Sequence, residues 1–111
     1  MTDQALDPED AKIITLARSA RARGGAESGA AVRDTMGRTY AATPVSLPSL
    51  RLSALEVAVA MAVSSGASGL EAAAVVSTET ELTREQAAAA LDLKAGAVFL
   101  AAPDGAVVAR I

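Results

Sequence analysis

Apolar and polar positions alternate with several different periods along the chain, and each change of period predicts a new element. The stretch from Leu50 to Gly66 is apolar on almost every side. It predicts a helix that lies in the middle of a domain or is covered at a subunit contact. Ala54, Ala58 and Ala62 place one small residue per turn on one side of this helix, which lets a neighbouring backbone approach. We expect the other elements to be arranged around it.

Polar and charged residues mark an earlier helix at both of its ends. The run Asp7–Asp10 supplies a cap, a proline in the first turn and carboxylates near the positive end of the helix dipole. The pair Gly24–Gly25 predicts its end. Arg18, Arg21 and Arg23 gather towards that end, where cations suit the dipole. We interpret them as helix-end charges, and an anion site is the alternative.

Short apolar runs separated by turn residues predict the remaining elements. The acidic stretch Thr78–Leu82 is expected to be a loop. The order of helices and strands favours an α/β fold with a mixed five-stranded sheet, in which crossover helices join parallel pairs and hairpins add antiparallel strands. The predicted strands are Gly29–Asp34, Arg38–Val45, Leu70–Ser77, Ala97–Ala102 and Ala106–Ile111, and a third helix is predicted over Thr83–Leu93.

The composition is typical of one globular domain, with 51% hydrophobic and 21% charged residues in 111 positions. We expect residues 1–6 to be a flexible N-terminus and residues 7–111 to form a single domain. The apolar residues are mostly small, with one Tyr, one Phe and no Trp. Because aromatic side chains bury the most area, a monomer with this core buries little. We therefore expect self-association as a dimer or tetramer, and a protein partner is a further possibility.

Charge and hydropathy argue against several classes of partner. The net charge is −3 and no basic stripe is present, which argues against nucleic-acid binding. The most apolar helix is short for a membrane span and contains Arg51 and Glu56. The first residues lack the charged-then-apolar pattern of a secretory signal, so we expect a cytoplasmic protein without membrane contact.

The chain contains no cysteine and no histidine. A disulfide is impossible, and zinc sites are built almost entirely from these two residues. Nucleophilic triads need a histidine or, in some variants, a lysine as the base. Lys12 and Lys94, the only lysines, fall on a surface-type helix and at a helix end. We therefore expect no cofactor and no hydrolytic site of the usual kinds.

Three segments together resemble the small cytidine deaminase family. They are GAAVRDTMGRTYAA at 29–42, SALEVAVAMAVSSG at 53–66 and LEAAAVVS at 70–77. In that family a Gly-Ala-Ala strand and a Gly-Arg-x-Tyr turn precede a helix that closes in Ala-Val-Ser-x-Gly. The order and spacing of elements fit over nearly the whole chain. The resemblance implies a cytidine deaminase-like fold of α/β/α layers in a homo-oligomer.

The chemical residues of that family are not present at the matching positions. Its members hold zinc through three thiolates, and a glutamate shuttles protons to the base that is deaminated. Aligned without gaps, the first zinc cysteine falls on Ser53 and the glutamate on Leu55. The Cys-x-x-Cys pair falls on Thr83 and Gln86. The resemblance therefore implies a degenerate member that lacks the zinc and catalytic motifs.

Three further positions complete this comparison. The family's ribose-binding residues fall near Pro44 and Ser46, and Glu56 matches the proton-shuttling glutamate only if the register slips by one residue. Ser53 and Thr83 each precede Glu56 or Gln86 by three residues, which is the pattern of a helix capping box. One interpretation is that these residues only cap helices. The other is that they line a polar remnant of the family's pocket.

Three hypotheses about function follow. The first is a catalytically inactive, oligomeric interaction or scaffold protein, for which a label of cytidine deaminase given by homology would be wrong about activity. The second is a binding module in which a nucleoside or anion enters the remnant pocket and meets helix N-terminal amides. The third is an enzyme of another kind, with Glu56, Glu85 or Asp34 as the acid or base.

Overall fold

The computed structural model describes residues 6–111, which form three helices and seven strands. Of the segment 1–6 predicted to be flexible, residues 1–5 lie outside the described part, and Leu6 packs half-buried against the core beneath the first helix. The helices are α1 (Pro8–Gly24), α2 (Ala54–Ser64) and α3 (Arg84–Asp92). The strands are β1 (Gly29–Asp34), β2 (Thr39–Ala42), β3 (Val45–Leu47), β4 (Leu50–Leu52), β5 (Leu70–Val76), β6 (Val98–Ala101) and β7 (Val107–Arg110).

The first helix begins and ends where the sequence predicts. The Asp7 side chain accepts a hydrogen bond of 2.8 Å from the Glu9 N–H, and the helix stops at Gly25, whose φ of 58° is left-handed. Arg18 donates to the Pro103 carbonyl oxygen and Arg21 to that of Glu27. These two arginines therefore link the helix to neighbouring loops.

The sheet is mixed and five-stranded, as predicted, with the order β2-β1-β5-β6-β7. β1 lies between β2 and β5 and runs antiparallel to both, β5 and β6 are parallel, and β7 returns antiparallel to β6. The connection from β2 through α2 to β5 thus passes over β1. It joins two strands, β2 and β5, that run in the same direction but are separated by β1. The parallel pairing between neighbouring strands that the sequence predicts is found at β5–β6.

Helices cover both faces of the sheet, which confirms the predicted three-layer α/β/α architecture. α1 buries Ile13, Ile14 and Ala17 against one face, where the largest partner is Phe99. Gly29 allows this close contact, because a Cβ atom there would overlap the carbonyl oxygen of Ala17. The other face packs against α2 and α3, whose inward residues are mostly alanine: Ala54, Leu55, Ala58, Val59, Ala62, Ala87 and Ala90.

The predicted helix over Leu50–Gly66 is wrong at its start. Leu50–Leu52 forms strand β4, which pairs antiparallel with β3 as a separate two-stranded hairpin. Pro48 and Ser49 form the turn of this hairpin. Pro fixes a φ angle that suits such turns, and the Leu-Arg-Leu alternation has the period of a strand. Ser53 then caps a helix that starts at Ala54.

One face of α2 is buried and the other is not. Ala54, Ala58 and Ala62 are at most 1% exposed, whereas Met61 and Val63 are 41% and 49% exposed. Within one chain the helix is therefore covered on one side only, and its alanine face packs closely as predicted.

No helix within the described residues is both long and apolar enough to cross a membrane. The cytoplasmic location stays a prediction.

Candidate functional site

A cavity of about 470 Å³ opens where the N-termini of α2 and α3 meet the carboxyl end of β5. Its apolar lining comes from Leu55 and Leu100, which are each 2% exposed, and from the half-buried Val75 and Leu82. The volume falls within the range of small-molecule sites, which are also mostly apolar with a few polar groups. The geometry therefore provides a chamber that can hold a compact organic molecule.

The N-terminus of α2 is closed by its own side chains. The Ser53 hydroxyl accepts a hydrogen bond from the Glu56 N–H at 3.1 Å, and the Glu56 carboxylate accepts one from the Ser53 N–H at 2.8 Å. This is a complete capping box, in which two backbone donors are satisfied reciprocally. The N–H groups of Ser53 and Glu56 are thus engaged within the helix end itself.

The N-terminus of α3 repeats the arrangement with an amide in place of the carboxylate. The Thr83 hydroxyl accepts from the Gln86 N–H at 3.1 Å, and the Gln86 side-chain oxygen accepts from the Thr83 N–H at 3.0 Å. The Ser53–Glu56 and Thr83–Gln86 patterns in the sequence therefore both form the caps that they predict.

The cavity brings together three of the six predicted pocket positions. Ser53, Leu55 and Gln86 line it. Thr83 caps α3 beside the cavity without lining it.

The other two positions lie elsewhere. Pro44 is exposed between β2 and β3, and Ser46 is exposed on β3, where it pairs with Arg51. The β3–β4 hairpin carries this part of the chain away from the cavity lining.

Zinc does not fit the donors at this helix junction. The three positions that the sequence comparison predicts to match the family's zinc cysteines carry two hydroxyls and a carboxamide, which are not the ligands that zinc selects in proteins. In addition, the oxygens of Ser53, Thr83 and Gln86 each already accept a backbone hydrogen bond. Within residues 6–111 no group of three or more His, Cys, Asp or Glu residues is placed to bind a metal.

Glutamates form the rim of the cavity. Glu27 precedes β1, Glu79 and Glu81 lie in the loop after β5, and Glu56 and Glu85 lie in the first turns of α2 and α3. All five are exposed. Among the described residues, the lining includes no lysine or arginine. The sequence shows the acidic loop Thr78–Leu82, but it does not show that the fold brings this loop close to glutamates from three other segments.

The three acids considered for other chemistry separate into two places. Glu56 and Glu85 line the cavity, whereas Asp34 is 1% exposed at the end of β1. Its carboxylate accepts hydrogen bonds from the N–H groups of Met36 and Arg38 at 2.9 Å and from the Tyr40 hydroxyl at 3.3 Å.

These contacts give Asp34 a structural role. Burial by itself raises the pKa of the Asp34 carboxyl, but the hydrogen bonds from Arg38, Met36 and Tyr40 and the charge of Arg38 outweigh it, and the pKa lies below its ordinary value. Asp34 therefore stays ionised and holds the β1–β2 turn, remote from the cavity.

Comparison with known proteins agrees with the architecture. The family model described as "Cytidine deaminase-like" matches residues 6–105. Among solved structures, the cytidine deaminase from Burkholderia pseudomallei is similar with a TM-score of 0.72 and 22% sequence identity, over 86% of this chain and 87% of that chain. At this identity the structural likeness concerns the fold alone. No curated protein sequence matches the chain significantly.

Proposed function

The chain belongs to the cytidine deaminase-like family, and we propose that it is a member without deaminase activity that acts as a self-associating interaction or scaffold protein. The observation that carries the first half of this proposal is the state of the two helix N-termini. The side chains of Ser53 and Thr83 cap these helices, and the buried Leu55 stands where the ungapped sequence comparison places the family's proton-shuttling glutamate.

The absence of catalysis is tested with cytidine and added zinc. The purified protein is incubated with cytidine and zinc chloride, and ammonia release is measured beside an active cytidine deaminase as the positive control. Because no position supplies a thiolate or imidazole to hold the metal, we expect no release above that of buffer. Zinc-dependent ammonia release would refute the proposal.

Self-association is supported by an apolar surface that the hairpin and α2 form together. Val45 pairs with Leu52 and Leu47 with Leu50, so these four side chains lie on one face of the hairpin. Leu47 and Leu50 are 54% and 47% exposed. Leu52 also lines a shallow groove with Met61 and other residues of α2. We call this surface, Val45, Leu47, Leu50, Leu52, Val57, Ala60 and Met61, the hairpin–α2 surface.

Contiguous exposed apolar surface is typical of interaction sites. The cores of the domain are built mainly from alanine and valine, so burial between copies adds apolar contact that a monomer lacks. A second copy of the chain is the occupant that we propose, because the family resemblance implies homo-oligomers.

A charge placed in the hairpin–α2 surface tests this proposal. We expect Met61→Glu to convert the oligomer to a monomer at micromolar concentration, because a buried unpaired carboxylate is costly. Sedimentation velocity measures the change. Met36→Glu is the matched control, since Met36 is 76% exposed in the β1–β2 turn, and it is expected to leave the oligomer intact. A wild-type monomer, or an unchanged oligomer in Met61→Glu, contradicts this role of the surface.

A second candidate function is the binding of a small molecule, and the cavity of about 470 Å³ supports it. Thermal shift measurements against a panel of nucleosides, nucleotides and small amines test for it. Stabilisation by one class supports binding, and no stabilisation by any class argues against it.

A further inference from the structure

We infer that two copies of the chain join through the outer edge of strand β4, in an antiparallel pairing centred on Leu50. Because each copy supplies a two-stranded sheet, the two hairpins then form one four-stranded sheet across the contact. This inference rests on the self-association proposed above, and it names the strand edge and the register through which that association occurs.

The β3–β4 hairpin lacks the support that a two-stranded sheet needs. Within the described residues its strands pair only with each other and are not joined to the five-stranded sheet. Its turn-side leucines, Leu47 and Leu50, are exposed. A two-stranded hairpin is only marginally stable in water, and further strands or a covering layer stabilise it. Strands from a second copy would supply this support.

The pairing of the hairpin decides which backbone groups point outward. Leu47 and Leu50 close the two-residue turn, so this pair carries the hydrogen bonds between the strands. Hydrogen-bonded and non-hydrogen-bonded pairs alternate along an antiparallel ladder. The next pair, Ser46 and Arg51, therefore directs its N–H and C=O groups away from the hairpin, one residue to each outer edge.

Prolines block the outer edge of β3. Pro44 and Pro48 lie two residues before and two residues after Ser46, which places them at the neighbouring positions of the same edge. Proline has no backbone N–H, so Ser46 is the one donor among these three positions. Proline on an edge strand is a device that prevents pairing with another chain. A partner strand is therefore not expected on β3.

The outer edge of β4 has the donors that β3 lacks. Ser49 and Arg51 are its outward positions, and both residues are exposed. Among residues 6–111 the N–H group of neither residue donates to a backbone oxygen of another element. The next position along this edge, Ser53, already donates its N–H to the Glu56 carboxylate. The open edge thus extends from Ser49 to Arg51.

A second copy of the chain fits this edge in one register. When Ser49 of each copy lies opposite Arg51 of the other, both outward residues exchange backbone hydrogen bonds, and Leu50 lies directly opposite its own counterpart. A shift by two residues in one direction places Arg51 opposite Arg51, where like charges repel. The opposite shift places the turn residue Pro48 opposite Leu50. The favoured register is symmetric, as a closed dimer requires, and it makes the apolar faces of the two hairpins continuous.

Cysteine cross-linking tests this register. The chain has no cysteine, so a single introduced cysteine reports on one distance. We expect Leu50→Cys to form a disulfide-linked dimer under mild oxidation, because opposite residues of a non-hydrogen-bonded pair have Cα atoms about 4.5 Å apart, which a disulfide spans. A non-reducing gel measures the product.

Leu47→Cys is the matched control for cross-linking. Leu47 lies on the same apolar face and is similarly exposed, at 54% against 47% for Leu50. In the inferred register, however, the two copies of Leu47 lie three strand spacings apart, about 14 Å, which is too far for a disulfide. We expect this variant to run as a single chain on the gel.

Proline substitution tests the backbone pairing. Arg51→Pro removes an outward N–H from β4 and leaves the hydrogen bonds between β3 and β4 in place. We expect it to sediment as a smaller species than the wild type. Ser46→Pro changes the cross-strand neighbour on the blocked edge and should sediment as the wild type does. Arg51→Ala removes the charge but keeps the N–H, and it should also behave as the wild type.

The outcomes separate this inference from the function on which it rests. If the wild type is an oligomer but Leu50→Cys does not cross-link, or Leu47→Cys cross-links equally well, the β4 pairing is refuted and self-association stands. Equal sedimentation of Arg51→Pro and Ser46→Pro also refutes the pairing. A wild type that sediments as a monomer at micromolar concentration refutes both.

Discussion

The structure assigns roles to two residues, Leu55 and Asp34, whose roles the sequence left open. Leu55 is buried at the floor of the cavity, where it packs with the α2 core. Asp34 was a candidate acid or base, and it proves to be the centre of a turn that it holds through two backbone N–H groups and the Tyr40 hydroxyl.

Asp34 makes stability depend on pH. Its pKa is lower in the folded chain than in the unfolded chain, where it is about 3.9. The stabilisation is therefore present above about pH 4 and is lost as the pH falls through the folded pKa. We expect Asp34→Asn to be less stable than the wild type at pH 7, and the difference to shrink as the pH is lowered below about 4, as measured by urea unfolding across this pH range.

Asp104→Asn is the control for this prediction. Asp104 accepts one backbone hydrogen bond from Ala106 in an exposed turn, so the substitution should change stability much less at pH 7. An equal loss in the two variants would contradict the structural role given to Asp34.

Elements were predictable from the sequence where a strong local signal marks their ends. The caps at Asp7, Ser53 and Thr83 are each present in the structure. The β3–β4 hairpin was missed, because strands of three residues carry too few positions to show a period against the apolar stretch that follows. Its Pro48–Ser49 turn was the available signal.

The capping boxes should contribute measurably to stability. We expect Ser53→Ala and Thr83→Ala each to lower the free energy of unfolding by about 1 kcal/mol, because each leaves a helix N–H without its partner. Chemical denaturation measures the effect. The exposed Ser68 has no side-chain hydrogen bond within the described residues, and Ser68→Ala should change stability by less than about 0.5 kcal/mol. If all three variants are alike, the two hydroxyls do not act as caps.

The packing of α1 on β1 depends on a residue without a side chain. We expect Gly29→Ala to destabilise the fold by roughly 1–3 kcal/mol, as overpacking does, because the new methyl group overlaps the backbone of Ala17 and Arg21. Gly69→Ala is the control, since its Cβ would lie 3.4 Å from Thr35, an ordinary contact. Thermal unfolding compares the two. A harmless Gly29→Ala would mean that α1 lies farther from the sheet.

At the scale of the whole molecule, the sequence predicted the fold class better than the site. The order of elements and the three matching segments were enough for the α/β/α architecture and the family. The cavity was only partly predictable, because its acidic rim joins Glu27, Glu79, Glu81 and the two helix starts from distant parts of the chain. Charges that meet only after folding leave no periodic signal in the sequence.

We propose that helix caps have replaced the family's zinc site in a protein that self-associates. Native mass spectrometry after incubation with zinc and buffer exchange tests both parts in one spectrum. We expect masses at two or four times that of the chain, with no zinc retained. One zinc ion held per chain, or a mass of a single chain at micromolar concentration, would contradict it.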